Sequence, residues 1–280
     1  MKVALFYDRI RYEEKSLAKA LSEAGVKLEL QDAKRLELRP EEQLDFDISL
    51  IRCVSHFRGL YLAAFLNSVG METVNRFEVL HVAGDKLLCS LALYRSGIPV
   101  PEFSVAFTPE SALRCVESIG YPAVLKPVVG SWGRLVSLVG DDLSAKAVLE
   151  HRETLGGPLH RIYYVQRYVA KPRRDVRVIV VGDCVVAAAY RYAPEDDWRT
   201  NVARGGKMVA LEPSEELCDV ALRAAEAVGG GVLGVDVLEG PEGLLVNEVN
   251  PTVEFKGISA ATGVDVAMHV AKYVLEVARC

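Results

Sequence analysis

Two carboxylates and an amide stand where a short hairpin would bring them together. Val235-Asp236-Val237-Leu238-Glu239 is followed by Leu244-Leu245-Val246-Asn247-Glu248-Val249-Asn250, with Pro241-Glu242-Gly243 between them as a three-residue loop. If Gly240 pairs with Leu244, Asp236 lies opposite Glu248. Asn250 then shares the face of Glu248, because alternate strand residues point the same way. Oxygen donors without His or Cys are hard ligands and suit Mg²⁺ rather than zinc. A hydrated strand face is the plain alternative. The flanking residues are almost all apolar, however, and a buried carboxylate is costly unless cations meet it.

The cations have candidates. Lys126 ends the apolar run Val124-Leu125, and Gly130-Ser131-Trp132-Gly133-Arg134-Leu135 follows as a glycine-rich turn. Such a turn can fold backbone N–H groups over phosphates, with Lys126 and Arg134 adding charge. It is not a Walker loop, because no GxxxxGK[ST] occurs in the chain. Gly229, Gly231 and Gly234 spell GxGxxG, but they follow a helical pattern and precede a strand, the reverse of the dinucleotide-binding order. Between Arg161 and Arg177 there are six basic residues against one acid, Asp175. That stretch is either a solvated loop or charge directed at phosphates. Trp198-Arg199-Thr200-Asn201-Val202-Ala203-Arg204-Gly205 sets an amide and more basic groups in a turn-rich segment. No His lies in a triad-like setting, and the six Cys are too widely spaced for a zinc knuckle or a disulfide scaffold.

The elements that must position these groups can be read in outline. The chain has 280 residues, 50% hydrophobic, with 33 Lys+Arg against 38 Asp+Glu. This composition builds a core, excludes a disordered chain, and argues against general nucleic-acid binding. No signal peptide or membrane span is visible, so a cytoplasmic protein is expected. Side-chain amides are scarce, with Gln at 31, 43 and 166 and Asn at 67, 75, 201, 247 and 250. Such depletion in a charge-rich chain is a tendency of heat-adapted proteins. Residues 3–74 alternate strand and helix patterns, predicting a small parallel α/β unit. A helix follows at 85–96, then strands at 103–106, 123–126 and 135–139 with a helix at 111–119. Strands dominate from 161 onward, interrupted by helices at 215–228 and 265–279. Three subdomains are expected: 1–82, 83–160 and 161–280.

In this order along the chain, the motifs resemble the ATP-grasp superfamily, and more closely the RimK-like LysX/ArgX ligases. The resemblance runs from FYDRI through RCVSHFRG, LKPVVGSWGRL, RDVRV and TNVARGG to VNEVNPTVEFKG. It implies an α/β (α+β) ATP-grasp fold behind an N-terminal Rossmann-like pre-ATP-grasp domain. It also implies ATP and Mg²⁺, two ions, as cofactors, and a small acidic carrier protein, LysW, as partner. The reaction implied phosphorylates the side-chain carboxylate of the carrier's C-terminal Glu and lets the α-amine of an amino acid attack. A homo-oligomer is expected.

Carried over by position, Lys86 and Lys126 resemble the nucleotide-phosphate lysines, and Gly130, Ser131, Trp132, Gly133, Arg134 and Leu135 the flap over the phosphates. Gln166, Arg167, Tyr168 and Val169 resemble the adenine hinge, where the family commonly has an acid in place of Arg167. Asp236, Glu248 and Asn250 resemble the metal ligands. Asp175, Arg177 and Asn201 fall on the nucleotide side, with Lys126, Arg191 and Arg204 as the catalytic charges. Arg191, Asn201, Arg204, Gly205, Glu254, Phe255, Lys256, Gly257 and Ile258 fall on the substrate side. In the family, Asn-Thr or Asn-Ser after EFK goes with α-aminoadipate and Gly-Phe with glutamate. Gly257-Ile258 is nearer the second, so glutamate is the expected substrate and α-aminoadipate the alternative. A RimK-like glutamate ligase for another acceptor and a non-catalytic nucleotide-binding subunit are the competing readings.

Overall fold

Val3–Phe6 and Ile48–Ile51 are buried at consecutive positions, the pattern of strands covered on both faces. The computed structural model describes residues 1–200 and 205–279, so Asn201 and Arg204 lie outside the described residues. The first lobe is a parallel sheet of β1 (Lys2–Tyr7), β2 (Lys27–Asp32), β3 (Ile48–Ile51) and β4 (Thr73–Val74), in the order β2-β1-β3-β4. Helices α1 (Tyr12–Glu23) and α2 (His56–Ser68) cover its opposite faces. This is the small parallel α/β unit that the alternation predicts.

The second lobe is an antiparallel sheet in the order β5-β8-β6-β7, made of β5 (Phe103–Ala106), β6 (Ala123–Lys126), β7 (Ser137–Val139) and β8 (Tyr163–Arg167). Helices α5 (Pro109–Ile119) and α6 (Asp142–Leu155) bury one of its faces. The boundary expected at residue 160 cuts this sheet, because β8 pairs between β5 and β6. Strand order is a tertiary property, and nothing local in 161–168 announces its neighbours. Sequence reading also leaves out α6, although Asp141 caps it by accepting the Ser144 N–H at 2.7 Å.

The third lobe runs β11-β10-β9-β12-β13, with β9 (Arg174–Val181), β10 (Cys184–Tyr192), β11 (Lys207–Ala210), β12 (Val232–Gly240) and β13 (Gly243–Asn250). On one face lie α3 (Phe77–Ala83), α4 (Lys86–Arg95) and α7 (Glu215–Ala227). The other face packs α8 (Lys256–Thr262) and α9 (Val266–Val277) in one core with Val3, Leu5 and Ile48 of the first lobe. The hairpin differs from expectation in a useful way. Gly240 opposes Gly243, not Leu244, so the loop is Pro241-Glu242, with Gly243 at φ +114°. A bulge at Asn247 then cancels the one-residue shift and restores Asp236 opposite Glu248. No described helix is long and apolar enough to cross a membrane.

The first and third lobes are also tied by one of the few amides. Asn75, 4% exposed, donates from Nδ2 to the carbonyls of Val232 and Pro251 at 2.8 Å each. Its Oδ1 accepts the Val232 N–H at 2.7 Å. A Cβ on Gly231 would stand 2.2 Å from that oxygen, and Gly231 holds φ +105°, so only glycine lets the chain approach. Asn75→Ala strands a buried N–H and should cost about 2 kcal/mol. It should appear as a lower urea midpoint at unchanged slope. An unmoved midpoint would show that the amide does not join the lobes.

Candidate active site

The second and third lobes face each other across a cleft roofed by the 130–135 turn. Among the described residues its lining carries seven lysines and arginines against three carboxylates, in a chain of net charge −5. Such a concentration of positive charge in a half-enclosed site is suited to a polyphosphate.

Strand register builds the floor. Asp236 on β12 is the cross-strand neighbour of Arg177 on β9, and Arg191 on β10 is the neighbour of Asp175 on β9. Arg177 grips Asp236 with both Nε (2.5 Å) and Nη2 (2.9 Å), and Arg191 Nη2 reaches Asp236 Oδ2 at 3.0 Å. Arg191 also binds Asp175 bidentately at 2.7 and 2.9 Å, and the Thr200 hydroxyl donates to Asp175. Burial opposes ionisation of Asp175, but Arg191 and Thr200 outweigh it and lower its pKa. At Asp236 burial pushes the carboxyl upward against the pull of both guanidiniums. Gly234 makes room for this arrangement, since a Cβ there would meet Arg177 Nη1 at 2.9 Å.

Two lysines hold the rim. Lys126 Nζ donates to Asn247 Oδ1 at 2.8 Å, so the bulged residue points into the cleft. Lys86 Nζ donates to the Gly130 carbonyl at 2.7 Å and sits 3.4 Å from Glu248 Oε2. Burial works against the Glu248 charge, yet Lys86, Lys126, Arg177 and Arg191 hold its pKa at about 2. Asn250 Nδ2 lies 3.4 Å from both Asp236 Oδ2 and Glu248 Oε1. Turning that amide over would present its oxygen instead. Two carboxylates and an amide oxygen fit Mg²⁺, which needs one or two carboxylates and takes phosphates and water for the rest. Asp236, with both oxygens engaged by guanidiniums, has the least lone-pair capacity left.

The remaining expected residues divide. Gln166, Arg167, Tyr168 and Val169 line the cleft beside Val124, Val136 and Leu238, a wall apolar enough for a base. The Gln166 side chain shares the cleft-side face of the sheet with Val124 and Lys126, and its amide is engaged there, donating to Tyr164 Oη at 3.1 Å. Arg167 pairs with Glu102 on the neighbouring segment, so a carboxylate stands at the hinge although residue 167 itself is basic. Arg177 lies behind Asp236 and outside the cleft lining, which corrects its nucleotide-side assignment to a supporting one. Phe255 and Ile258, 2% and 0% exposed, are core residues, so their side chains cannot touch a substrate as expected. Gly257 abuts Met208 instead, where a Cβ would stand 2.8 Å from Sδ. Lys256 lies in a groove with Tyr12 and Ser259, away from the cleft, and Gly205 is exposed at φ +94°.

The basic segment is not a free stripe. Arg161, Arg167 and Arg174 each meet a carboxylate, and Lys171 lines the cleft, its pKa lowered by burial. The sequence singles out none of Asn247, Arg199 and Thr200, and marks Lys171 only as one of the basic residues between Arg161 and Arg177. Arg199 donates from Nη1 to the Gly133 and Val136 carbonyls at 3.1 and 3.3 Å and so grips the turn. The scarcity of amides was the one signal that pointed to Asn247.

A basic cleft between two α+β lobes, with paired lysines at the rim and carboxylates on the floor, is the ATP-grasp arrangement. Residues 83–274 match the model of the RimK-like ATP-grasp domain and residues 3–82 that of the LysX preATP-grasp domain. The chain belongs to the RimK-like ATP-grasp family. It is 39% identical to the glutamate–LysW ligase ArgX of Sulfurisphaera tokodaii over 278 residues, covering 99% of each chain. The α-aminoadipate–LysW ligase LysX of the same organism is 33% identical over 282 residues, again 99% of each. Among solved structures, the RimK domain protein ATP-grasp from Sphaerobacter thermophilus superposes with a TM-score of 0.82 at 32% identity, covering 98% of this chain and 100% of that one. D-alanine–D-alanine ligase from Bacillus anthracis, at 13% identity and a TM-score of 0.73, shares the fold.

Burial depresses the Lys126 ammonium to about 8, with Glu248 pulling it back up. The charged form, which phosphates need, therefore predominates below about pH 8 in the free protein and is lost above it. Nucleotide affinity should fall as pH rises through that value. Lys126→Arg, which cannot lose its proton, should remove the alkaline limb. Titrating ATP binding between pH 6.5 and 9.5 tests this, and a limb that survives in the arginine variant would assign it to another group.

Proposed function

We propose that the chain is an ATP- and Mg²⁺-dependent carboxylate–amine ligase that attaches glutamate to the C-terminal Glu side chain of a LysW-type carrier protein. The observation that carries the reading is the cleft itself, with its excess of buried positive charge set against carboxylates that can share a metal. Its described lining holds no Cys or His, and the buried thiols Cys53 and Cys89 are pushed up to about 12. Activation by phosphorylation needs no nucleophile from the protein. The full-length likeness to ligases named for LysW supports the acceptor.

Lys86 and Lys126 would neutralise charge on the phosphoryl group as it moves to the acceptor carboxylate, with Arg191 adding positive potential from the floor. Glu248, Asn250 and Asp236 would hold Mg²⁺, which supplies Lewis-acid polarisation of the phosphates when bound. The flap would cover the acyl phosphate and exclude water until the amine attacks. Arg199 and Lys86 prepare this role by holding the flap through its own carbonyls.

Mass spectrometry of the protein with LysW, ATP and glutamate should show the carrier gaining one glutamyl unit. Glu248→Gln should abolish that product while the far-UV spectrum and thermal midpoint stay close to wild type. Retained ligation would remove the hairpin from the chemistry.

Glutamate is the preferred amino acid in this reading, and Gly257 bears on the choice through Met208, while Ile258 stays in the core. An Asn at 257 must displace the Met208 side chain of β11, a strand that begins three residues beyond Arg204 of the segment implied to bind substrate. Discrimination across one methylene is worth about 10- to 200-fold. Gly257→Asn with Ile258→Thr should move the ratio of kcat/KM for glutamate over α-aminoadipate toward α-aminoadipate by at least about tenfold. A wild type that favours α-aminoadipate, or a ratio untouched by the double substitution, would overturn the assignment.

A further inference from the structure

Glu254 follows the metal-side strand and precedes α8, where the resemblance makes it a substrate contact. Its carboxylate is otherwise engaged. Oε2 accepts the Trp132 Nε1–H at 3.2 Å, and Oε1 accepts a hydrogen bond from Arg11 Nη1 at 2.5 Å. Trp132 is the tip of the flap, in the second lobe. Arg11 opens α1 in the first lobe and is itself held by Glu14, at 3.0 Å from Nη2 to Oε1. Glu14 in turn lies 3.4 Å from the buried Arg52, which donates to the Val253 carbonyl at 2.8 Å. One partly exposed carboxylate thus joins all three lobes, and it accepts the bond that the Trp132 indole donates.

The flap needs such a hold. Trp132 and Leu135 adopt φ values of +60° and +57°, left-handed conformations that non-glycine residues keep only where their surroundings impose them. The Leu135 end is pinned by buried Arg152, which donates to its carbonyl at 2.8 Å. At the Trp132 end the indole meets Glu254 and the Arg134 guanidinium, 4.8 Å above the ring, while the next carbonyl, of Gly133, accepts from Arg199 at 3.1 Å. With its side chain 44% exposed, Glu254 is placed to release and recapture the indole as the flap opens and closes.

We infer that Glu254 is the catch that holds the flap shut, a positioning residue acting through Trp132 and anchored by Arg11. From the proposed ligase activity this takes only that the flap covers the nucleotide. A weakened catch leaves the flap open for longer, which weakens nucleotide retention and admits water to the activated carboxylate.

The test compares Glu254→Ala, Glu254→Gln, Trp132→Phe and the Ala/Phe double variant. Tryptic cleavage after Arg134, with and without a non-hydrolysable ATP analogue and Mg²⁺, reads flap closure directly. KM for ATP and ADP released per amide formed read its consequences. Glu254→Ala and Trp132→Phe should each lose the nucleotide-induced protection and raise KM for ATP about tenfold, the worth of one hydrogen bond to a charged group. The double variant should be no worse than either single one. Glu254→Gln, which keeps a carbonyl for the indole, should retain most of the protection, and ADP should exceed amide in the Ala variant. Full protection in Glu254→Ala, effects that multiply in the double variant, or a rise in KM for the amino acid alone would each overturn the inference. A wild type that is protected by nucleotide yet forms no amide with glutamate and LysW would defeat the ligase reading and leave the catch standing.

Discussion

Asp236 is 1% exposed, and a carboxylate that deep is tolerable only with cations in contact. Arg177 and Arg191 supply them from the two strands next in order, and Arg191 is balanced in turn by Asp175. Every link in this lattice is a product of register across β10, β9 and β12. A slip of one residue would turn the charges to the other face and leave them buried without partners, at a cost of about 3–5 kcal/mol per broken pair. The lattice therefore pins the register of the sheet. It also fixes where β13 presents Glu248 and Asn250.

The same economy explains the rim. Lys126 arrives from the second lobe and Lys86 from the start of α4, and each finds a partner on β13: Asn247 for the first, Glu248 for the second. The Lys126–Asn247 bond, with Lys86 reaching the Gly130 carbonyl, closes the cleft across two lobes whose cores are separate clusters. They are weaker than the floor, being few and partly exposed to solvent. Charge balance inside the cleft still favours the arrival of phosphates, which would relieve the mutual repulsion of the lysines and raise the depressed Lys126 pKa. Floor and roof thus have different tasks. The floor is locked by buried ion pairs, whereas the roof is a turn held by a few hydrogen bonds, donated by Lys86, Arg199 and Arg152 and accepted by Glu254.

Much of this could be read before any coordinates. The alternation of strands and helices gave the N-terminal domain, because each crossover helix carries its own local periodicity. Asp236, Glu248 and Asn250 could be grouped because a hairpin places near neighbours in the chain near each other in space. Lys126 and the glycine-rich turn after it were visible for the same reason. GxGxxG at Gly229–Gly234 stands between α7 and β12, the reverse of the dinucleotide-binding order, and its glycines serve the approach of Asn75 to Gly231 and of Arg177 to Gly234.

What the sequence by itself determined, then, was the set of reactive groups and the elements that bear them. Only the tertiary structure decided which way several of them face. Asn247 enters the cleft because a bulge lets it meet a lysine 121 residues away. Gln166 has its amide committed because Tyr164 and Ser90 offer it a buried hydrogen-bonded chain. Ile258 lies in the core because the first lobe packs over α8. Glu254 meets the flap and Arg11 because all three lobes converge there. In each case the deciding partner is distant in the chain, and one residue's local pattern carries no information about a contact that exists only after the lobes have packed.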